Sequence, residues 1–311
     1  MVNASMFFAI FSVFQLSVIR SNLVSKGSYF IELGDVQDEG SHHNSDTTVF
    51  NKNFHKCSLA ESCKYLSLDT NTNKYTQISN EDEIPKNRTG FKIWKKVTLE
   101  DQIYRSCKDA YSAGILNSGV IKIGLPDGRT TQVYCDMETD GGGWTVFLRR
   151  VTSQTNFNRT WQECAQGFGD LESNFWLGLD TIHYLTNREN VILRIDLKAL
   201  NGTQGFAKYT EFRIAGRETQ YTIHIGGYAG DIGDSMGTGY KFSTWDNDND
   251  YMSDANCAAT RGGPWWLSGC GNARLMNLFF QENGKKMEKM KWGTWGEHSH
   301  RITFAEMKLR E

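Results

Sequence analysis

Apolar and polar positions alternate with a period of two in several short runs of this chain, the pattern of half-buried strands. WTVFLRRV (144–151), NVILRIDL (190–197), YTEFRIA (209–215), YTIHI (221–225) and RITFAEMKLR (301–310) read as strands, and FKIWKKV (91–97) reads as another upstream. SCKDAYSAG (106–114) and FWLGLDTIHYLT (175–186) break the period and read as short helices, each with glycine or asparagine near its end. From about 226 to 300 apolar runs are few, which predicts a long loop-rich section. No repeat of 20–50 residues, heptad run or Gly-X-Y run occurs. The expected fold class is α+β, with a mainly antiparallel sheet, short helices and a loop-rich C-terminal section.

One apolar run does not belong to this pattern. MFFAIFSVFQLSVI (6–19) is too short to span a hydrocarbon core of roughly 30 Å. With the small residue Ser21 behind it, and although no basic residue precedes it, it reads as a signal peptide over 1–21, with a signal anchor as the alternative. The mature chain is then expected to be exported, with no membrane span. The composition shifts near residue 105, from a polar segment (22–104) to a stretch rich in Trp, Gly and β-branched residues (105–311).

Export changes the reading of several residues. The sequons at Asn87, Asn158 and Asn201 become candidate glycan sites. The 7 cysteines, none with C-x2-C zinc spacing, are expected to pair, which leaves one over. Cys257 and Cys270 could close one loop, worth about 3 kcal/mol in the chain-entropy model, and Cys107 and Cys135 a second. The net charge of −2 provides no global field for nucleic acid or an anionic membrane.

The chemistry-bearing stretch is WDNDNDYMSDANC (245–257). Asp246, Asp248 and Asp250 alternate with asparagines, and carboxylates so spaced can converge on a hard cation or simply form a solvated turn. An EF-hand is excluded, because its sixth position requires Gly and holds Tyr251, and its twelfth requires Glu and holds Cys257.

VYCDMETDGGGWTVFLRR (133–150), FWLGLDTIHYLT, GDS (233–235), FSTWDNDND (242–250), NCA (256–258), WW (265–266) and EMKLR (306–310) occur in this order. Together they resemble the fibrinogen-related globular domain of fibrinogen chain ends, ficolins, tenascins and tachylectin-type lectins, over residues 105–311. The resemblance implies a disulfide-stapled α+β domain with a Ca2+ site in its C-terminal lobe. It assigns carboxylates to Asp248 and Asp250 and backbone carbonyls to Met252 and Asp254, although one extra residue precedes Asn256–Cys257. It also implies a cis bond between Asn256 and Cys257, which costs roughly 3–4 kcal/mol outside proline.

Many members of that family hold an acetyl-binding pocket beside the calcium. Here its histidine is Gly271, a usual tyrosine is Arg261, and GKKMEKMKW (284–292) replaces a tyrosine-bearing segment. Trp265 and Trp266 remain as candidate ligand walls, and Arg261 and Arg274, with Lys285 and Lys286, point to an acidic ligand or else to ordinary solvated charges. Upstream, CSLAESCKYLSLD (57–69) within 42–97 resembles part of a PAN/apple module, the alternative being a linker clipped by a Cys57–Cys63 bridge. Cys164 is then the cysteine left over, as a buried thiol or an interchain link.

Catalytic readings fare worse. GDSMG (233–237) matches G-x-S-x-G, but the sequence after it is not helical; HSH (298–300) lacks a third metal ligand. The expected function is a secreted, calcium-binding, lectin-like recognition protein that binds extracellular glycans or glycoproteins in innate defence or matrix. The alternative is a structural or adhesive matrix protein that contacts protein without sugar specificity. Any oligomer would need a route other than collagen or coiled coil.

Overall fold

The computed structural model describes residues 28–32, 57, 62–69, 71–72, 74–84, 91–98, 103–188, 190–280 and 289–311. The expected signal peptide at 1–21, the sequon at Asn87, and Lys285 and Lys286 lie outside these residues. The chain divides into two compact units, Met1–Gln102 and Ile103–Glu311.

The first unit carries an antiparallel sheet of β1 (Ser28–Glu32), β2 (Tyr65–Asp69), β3 (Lys74–Ile78) and β4 (Phe91–Thr98), in the order β1-β4-β2-β3. β4 is the expected FKIWKKV strand. β2 was not anticipated, because its YLSL run is buried at every position and so shows no alternation. Tyr65, Ile78 and Ile93 form one apolar cluster, while Leu66 and Leu68 join the Cys57–Cys63 disulfide in another.

The second unit is built on an antiparallel sheet. Its strands are β5 (Gly119–Gly124), β6 (Thr130–Asp136), β7 (Trp144–Arg150), β8 (Phe168–Gly169), β9 (Phe175–Trp176), β10 (Ile192–Ala199), β11 (Gln204–Ile214) and β12 (Ile223–Gly230). Four two-residue strands follow: β13 (Phe242–Ser243), β14 (Trp265–Trp266), β15 (Ala273–Arg274) and β16 (Lys291–Trp292). The last is β17 (Ile302–Arg310). The main path runs β12-β11-β10-β17-β7-β6-β5, so β17 sits in the middle, paired with β10 and β7. Among the described residues the short helices are α1 (Cys107–Ser112), α2 (Trp161–Gln166), α3 (Leu179–Thr186) and α4 (Cys257–Arg261). The expected α+β class with a mainly antiparallel sheet is the observed one.

The helix expected at 175–186 is shorter than its apolar spacing implied. Phe175 and Trp176 pair with β7 as strand, and Gly178, at φ 97°, turns the chain before the helix begins at Leu179. The GGGW motif also has a steric cause. Gly142 has φ 70°, and a Cβ there would stand 2.4 Å from the Met137 carbonyl oxygen.

The sheet's register separates an oily face from a charged one. Leu193, Ile195 and Leu197 lie opposite Leu309, Met307 and Ala305 and join Leu179, Ile182 and Leu185 of α3 in the core. On the alternate positions Lys308 is buried, with its Nζ 2.6 Å from Asp136, 2.7 Å from Glu306 and 3.0 Å from Asp196. Arg194 pairs with Asp196, and Arg149 with Glu306.

The section from 231 to 300 has only the two small strand pairs β13–β14 and β15–β16 among its described residues. Side chains tie it to the sheet instead. The Trp266 indole donates to the Tyr221 carbonyl at 2.8 Å, and the Trp292 indole to the Gly233 carbonyl at 2.8 Å. Arg150, at the end of β7, is 1% exposed and donates from Nη1 to the carbonyls of Leu275 (2.7 Å) and Asn277 (2.9 Å). No carboxylate meets it among the described residues, and burial brings its guanidinium down to about 9.

Acid should act through Asp136. Burial alone would raise its carboxyl; the Lys308 ammonium outweighs that and holds it well below the usual carboxylate range. Its contribution is therefore present above the unfolded value of about 4 and is lost as the pH falls toward the folded one. Urea unfolding between pH 5 and 2 should show a steeper loss of stability for the wild type than for Lys308→Met. Parallel losses would contradict this coupling.

Candidate functional site

The aspartate loop is shaped by hydrogen bonds that give each acidic residue a different task. Thr244 and Asn247 exchange backbone hydrogen bonds, which makes a tight turn with Trp245 at its tip. Asp246 Oδ1 accepts from the Trp161 N–H at 2.9 Å and from the Thr244 hydroxyl at 2.7 Å, so this carboxylate is spent on joining the loop to α2. Asn249 donates to the Phe242 carbonyl at 2.9 Å. Asp250 accepts from Met252 N–H on one oxygen and from Cys257 N–H on the other, both at 2.8 Å.

Asp248 and Asp250 remain side by side without a Lys or Arg partner among the described residues. Burial, and then the neighbouring Asp250 charge, raise the Asp248 carboxyl. The carbonyls of Met252 and Asp254 accept no hydrogen bond among the described residues. Two uncompensated carboxylates and two free carbonyl oxygens are the donor types of a hard cation such as Ca2+. No group of three or more acidic, His or Cys side chains converges among the described residues, so carbonyls and water must supply the rest of any coordination sphere.

The Asn256–Cys257 bond is trans, which corrects the expected cis bond. In this form the Cys257 N–H reaches the Asp250 carboxylate, while the Asn256 side chain caps α4 through the Ala259 N–H at 2.8 Å. Each bond gives the trans form a role without the cost of a non-proline cis peptide.

Beside the loop lies a small cavity of about 80 Å3, lined by Tyr240, Trp265, Trp266, Ser268, Gly271 and Asn272 among others. Trp265 and Trp266 are core residues whose edges form part of its wall. Gly271 has φ 69°, a conformation that disfavours the side chain expected there. Arg274 is buried, donates to the Cys270 carbonyl at 3.1 Å, and is brought down to about 10 by burial and by Arg261. It therefore offers no open surface charge, and Arg261, half-buried at the end of α4, is the one expected cation still near the surface among the described residues. Sequence reasoning missed Trp245 and Tyr251 and took Met252 only for its carbonyl; their side chains are 48%, 63% and 44% exposed. Their signal was an aromatic–apolar set embedded in an otherwise polar run.

A family model for the C-terminal globular domain of fibrinogen beta and gamma chains matches residues 103–311. The chain belongs to this family. Human fibroleukin is 39% identical over 227 residues, which cover 68% of this chain and 52% of fibroleukin. Fibrinogen-like protein A of Apostichopus parvimensis is 38% identical, over 72% of this chain and 82% of that protein. Chicken tenascin is 39% identical but is covered over only 11% of its length. This chain thus spans about half of fibroleukin and a small part of tenascin. The fibrinogen-like globe domain of human ANGPTL2 superposes with a TM-score of 0.64 at 31% identity, over 67% of this chain and 98% of that domain.

Within the fibrinogen-related domain, disulfides join Cys107 to Cys135 and Cys257 to Cys270. Ser235 is absorbed into structure: its hydroxyl lies 2.8 Å from the Thr294 hydroxyl and accepts from the Thr294 N–H at 3.0 Å. His298 and His300 do not lie on one strand, since Gly296–His298 is a 3-10 turn in which His298 packs on Trp295. None of the described helices is long and apolar enough to cross a membrane.

Cys164 is unpaired and buried within α2, and burial first, then Glu163 and Asp246, push its thiol far up. It should resist iodoacetamide in the native protein and react fully in denaturant. Labelling at the native rate of an exposed thiol, or a Cys164-linked dimer on a non-reducing gel, would contradict its burial.

Proposed function

We propose that this is an extracellular, calcium-binding recognition protein whose contact surface is the loop 245–254, and that its partner is a glycoprotein. The observation that carries the reading is the exposed set Trp245, Tyr251 and Met252 around carboxylates that no basic side chain neutralises. Aromatic and Met side chains are enriched where proteins bind one another. Ca2+ held by Asp248, Asp250 and the carbonyls of Met252 and Asp254 would relieve the like-charge strain and fix the apolar rim in place. Extracellular placement is supported by the N-terminal apolar run, the sequons and three disulfides.

The lectin-like reading is narrower. The cavity beside the loop is small, about 80 Å3. Gly271 supplies no imidazole and Arg261 no aromatic wall. Loss of one apolar wall removes about 1–2 kcal/mol, and loss of one hydrogen bond about 1 kcal/mol. Simple N-acetylated sugars are therefore bound roughly a hundredfold more weakly than by a pocket that keeps both groups. An acidic glycan would depend chiefly on Arg261 and would bind less tightly as salt rises.

Two measurements test these statements. Chelation should lower the melting temperature, since a ligand that binds only the folded state stabilises it by about 2.7 kcal/mol at a hundred times Kd. Asp248→Ala should remove that response, whereas Asp250→Ala should destabilise the chelated protein as well, through Met252 and Cys257. Identical melting in calcium and chelator would end the calcium assignment. On a glycan array in calcium, neutral N-acetylated sugars should give weak signals. Tight, salt-independent binding of such a sugar, unaffected by Trp245→Ala with Tyr251→Ala, would reverse the ranking in favour of a sugar pocket.

A further inference from the structure

The two sequons among the described residues stand in opposite surroundings. Asn158 is half-buried, and its Oδ1 is fully enclosed without a hydrogen-bond partner. The buried Phe157 precedes it, and Arg159 is clamped between the Asn156 carbonyl and Glu163, each at 2.9 Å. The sequon hydroxyl is also committed, because Thr160 Oγ1 donates to Glu163 Oε2 at 2.8 Å and accepts from the Glu163 N–H in the capping box of α2. The Nδ2 that a glycan would join is not among the enclosed atoms, so this sequon differs from the next in how far its side chain and hydroxyl are engaged.

Asn201-Gly202-Thr203 lies at the turn between β10 and β11. Asn201 and Thr203 are exposed, and Gly202, at φ 88°, has no heavy atom within 4 Å of where a Cβ would stand. The turn is closed by backbone bonds from Ala199 N–H to the Thr203 carbonyl (2.8 Å) and from Gly202 N–H to the Ala199 carbonyl (2.9 Å). Asn201 Oδ1 accepts from the Thr203 N–H at 3.1 Å, while its Nδ2 and the Thr203 hydroxyl make no hydrogen bond among the described residues. The acceptor nitrogen thus stands at an open hairpin tip that a bulky substituent does not disturb. Leu200 beside it is 50% exposed, apolar surface that a glycan would cover.

We propose that Asn201 is the more fully glycosylated asparagine of the fibrinogen-related domain, ahead of the half-buried Asn158, an assignment that rests on the proposed export. The donor is a lipid-linked oligosaccharide diphosphate. Asn201 Nδ2 attacks the anomeric carbon, a C–N bond forms, the C–O bond to the diphosphate breaks, the lipid diphosphate leaves, and one Nδ2 proton passes to a base of the transferring enzyme.

The full chain, delivered to the secretory pathway of a eukaryotic cell by a foreign leader peptide, tests this independently of residues 1–21. Protease digests of the secreted protein, mapped by mass before and after peptide N-glycosidase, should show the Asn201 peptide modified in most copies and in a larger share than the Asn158 peptide. Thr203→Ala should abolish the modification and leave the melting temperature of deglycosylated protein unchanged. A bare Asn201 peptide, or an Asn158 peptide modified as fully as the Asn201 peptide, would overturn the assignment. Secretion failing with the native leader but succeeding with the foreign one would count against the export reading alone.

Discussion

The C-terminal section of the fibrinogen-related domain depends on one buried cation. Arg150 ends β7 inside the protein, bound to the carbonyls of Leu275 and Asn277 with its guanidinium 3.9 Å from the Phe157 ring centre. Removing a guanidinium from water costs several kcal/mol unless its protons find acceptors. A carboxylate would neutralise the charge, whereas two carbonyls of one segment leave it charged and Nε unpartnered but fix the position of the chain. The segment they fix contains Arg274 and Asn277, whose Nδ2 donates to the Arg261 carbonyl at 2.6 Å. The end of α4, the wall of the small cavity and the sheet therefore share one anchor.

The aspartate loop uses the same economy with the opposite charge. Asp246 holds α2 and Asp250 holds two amides of its own loop, which leaves Asp248 the least committed and the most strained by its neighbour. Asn256 caps α4 and also donates to the Thr244 carbonyl at 3.0 Å, so the two ends of the loop meet. Alternation of Asp with Asn separates anchors from free donors, and this is why a polar loop with so little strand of its own can present Trp245 and Tyr251 outward.

Much of the fold could be read from the chain, because β10 alternates regularly between buried and half-exposed positions and β11 partly does, while β7 and β17, buried along most of their length, are long runs that mix apolar residues with charge. The resemblance of ordered motifs supplied the family, which periodicity could not, while the two cysteine pairs came from the expected export and their spacing along the chain. β2 escaped because both its faces are covered, and β5 and β6 because GVIKIG and TTQVYCD are short and interrupted by Gly and Thr. α2 had a legible start in Thr160 and Glu163, three residues apart, but six residues of helix leave no period to recognise. Burial was the weakest inference at the site. Arg274 reads as a surface charge in sequence, and only the tertiary arrangement reveals that its partner is the Cys270 carbonyl. The trans bond at Cys257 follows from an amide that needs Asp250, a relation between residues that no local pattern encodes.

The position of β17 has a consequence for how the domain comes into being. The hairpins β5–β6–β7 and β10–β11–β12 are made early, yet within the main sheet they meet only through Ile302–Arg310. While a ribosome is still making the chain, the two halves carry unsatisfied edges at β7 and β10, and Lys308 has not yet arrived to neutralise Asp136 and Asp196. The domain closes like a keystone arch, with its central strand set last, so nascent chains must be kept apart until that strand emerges.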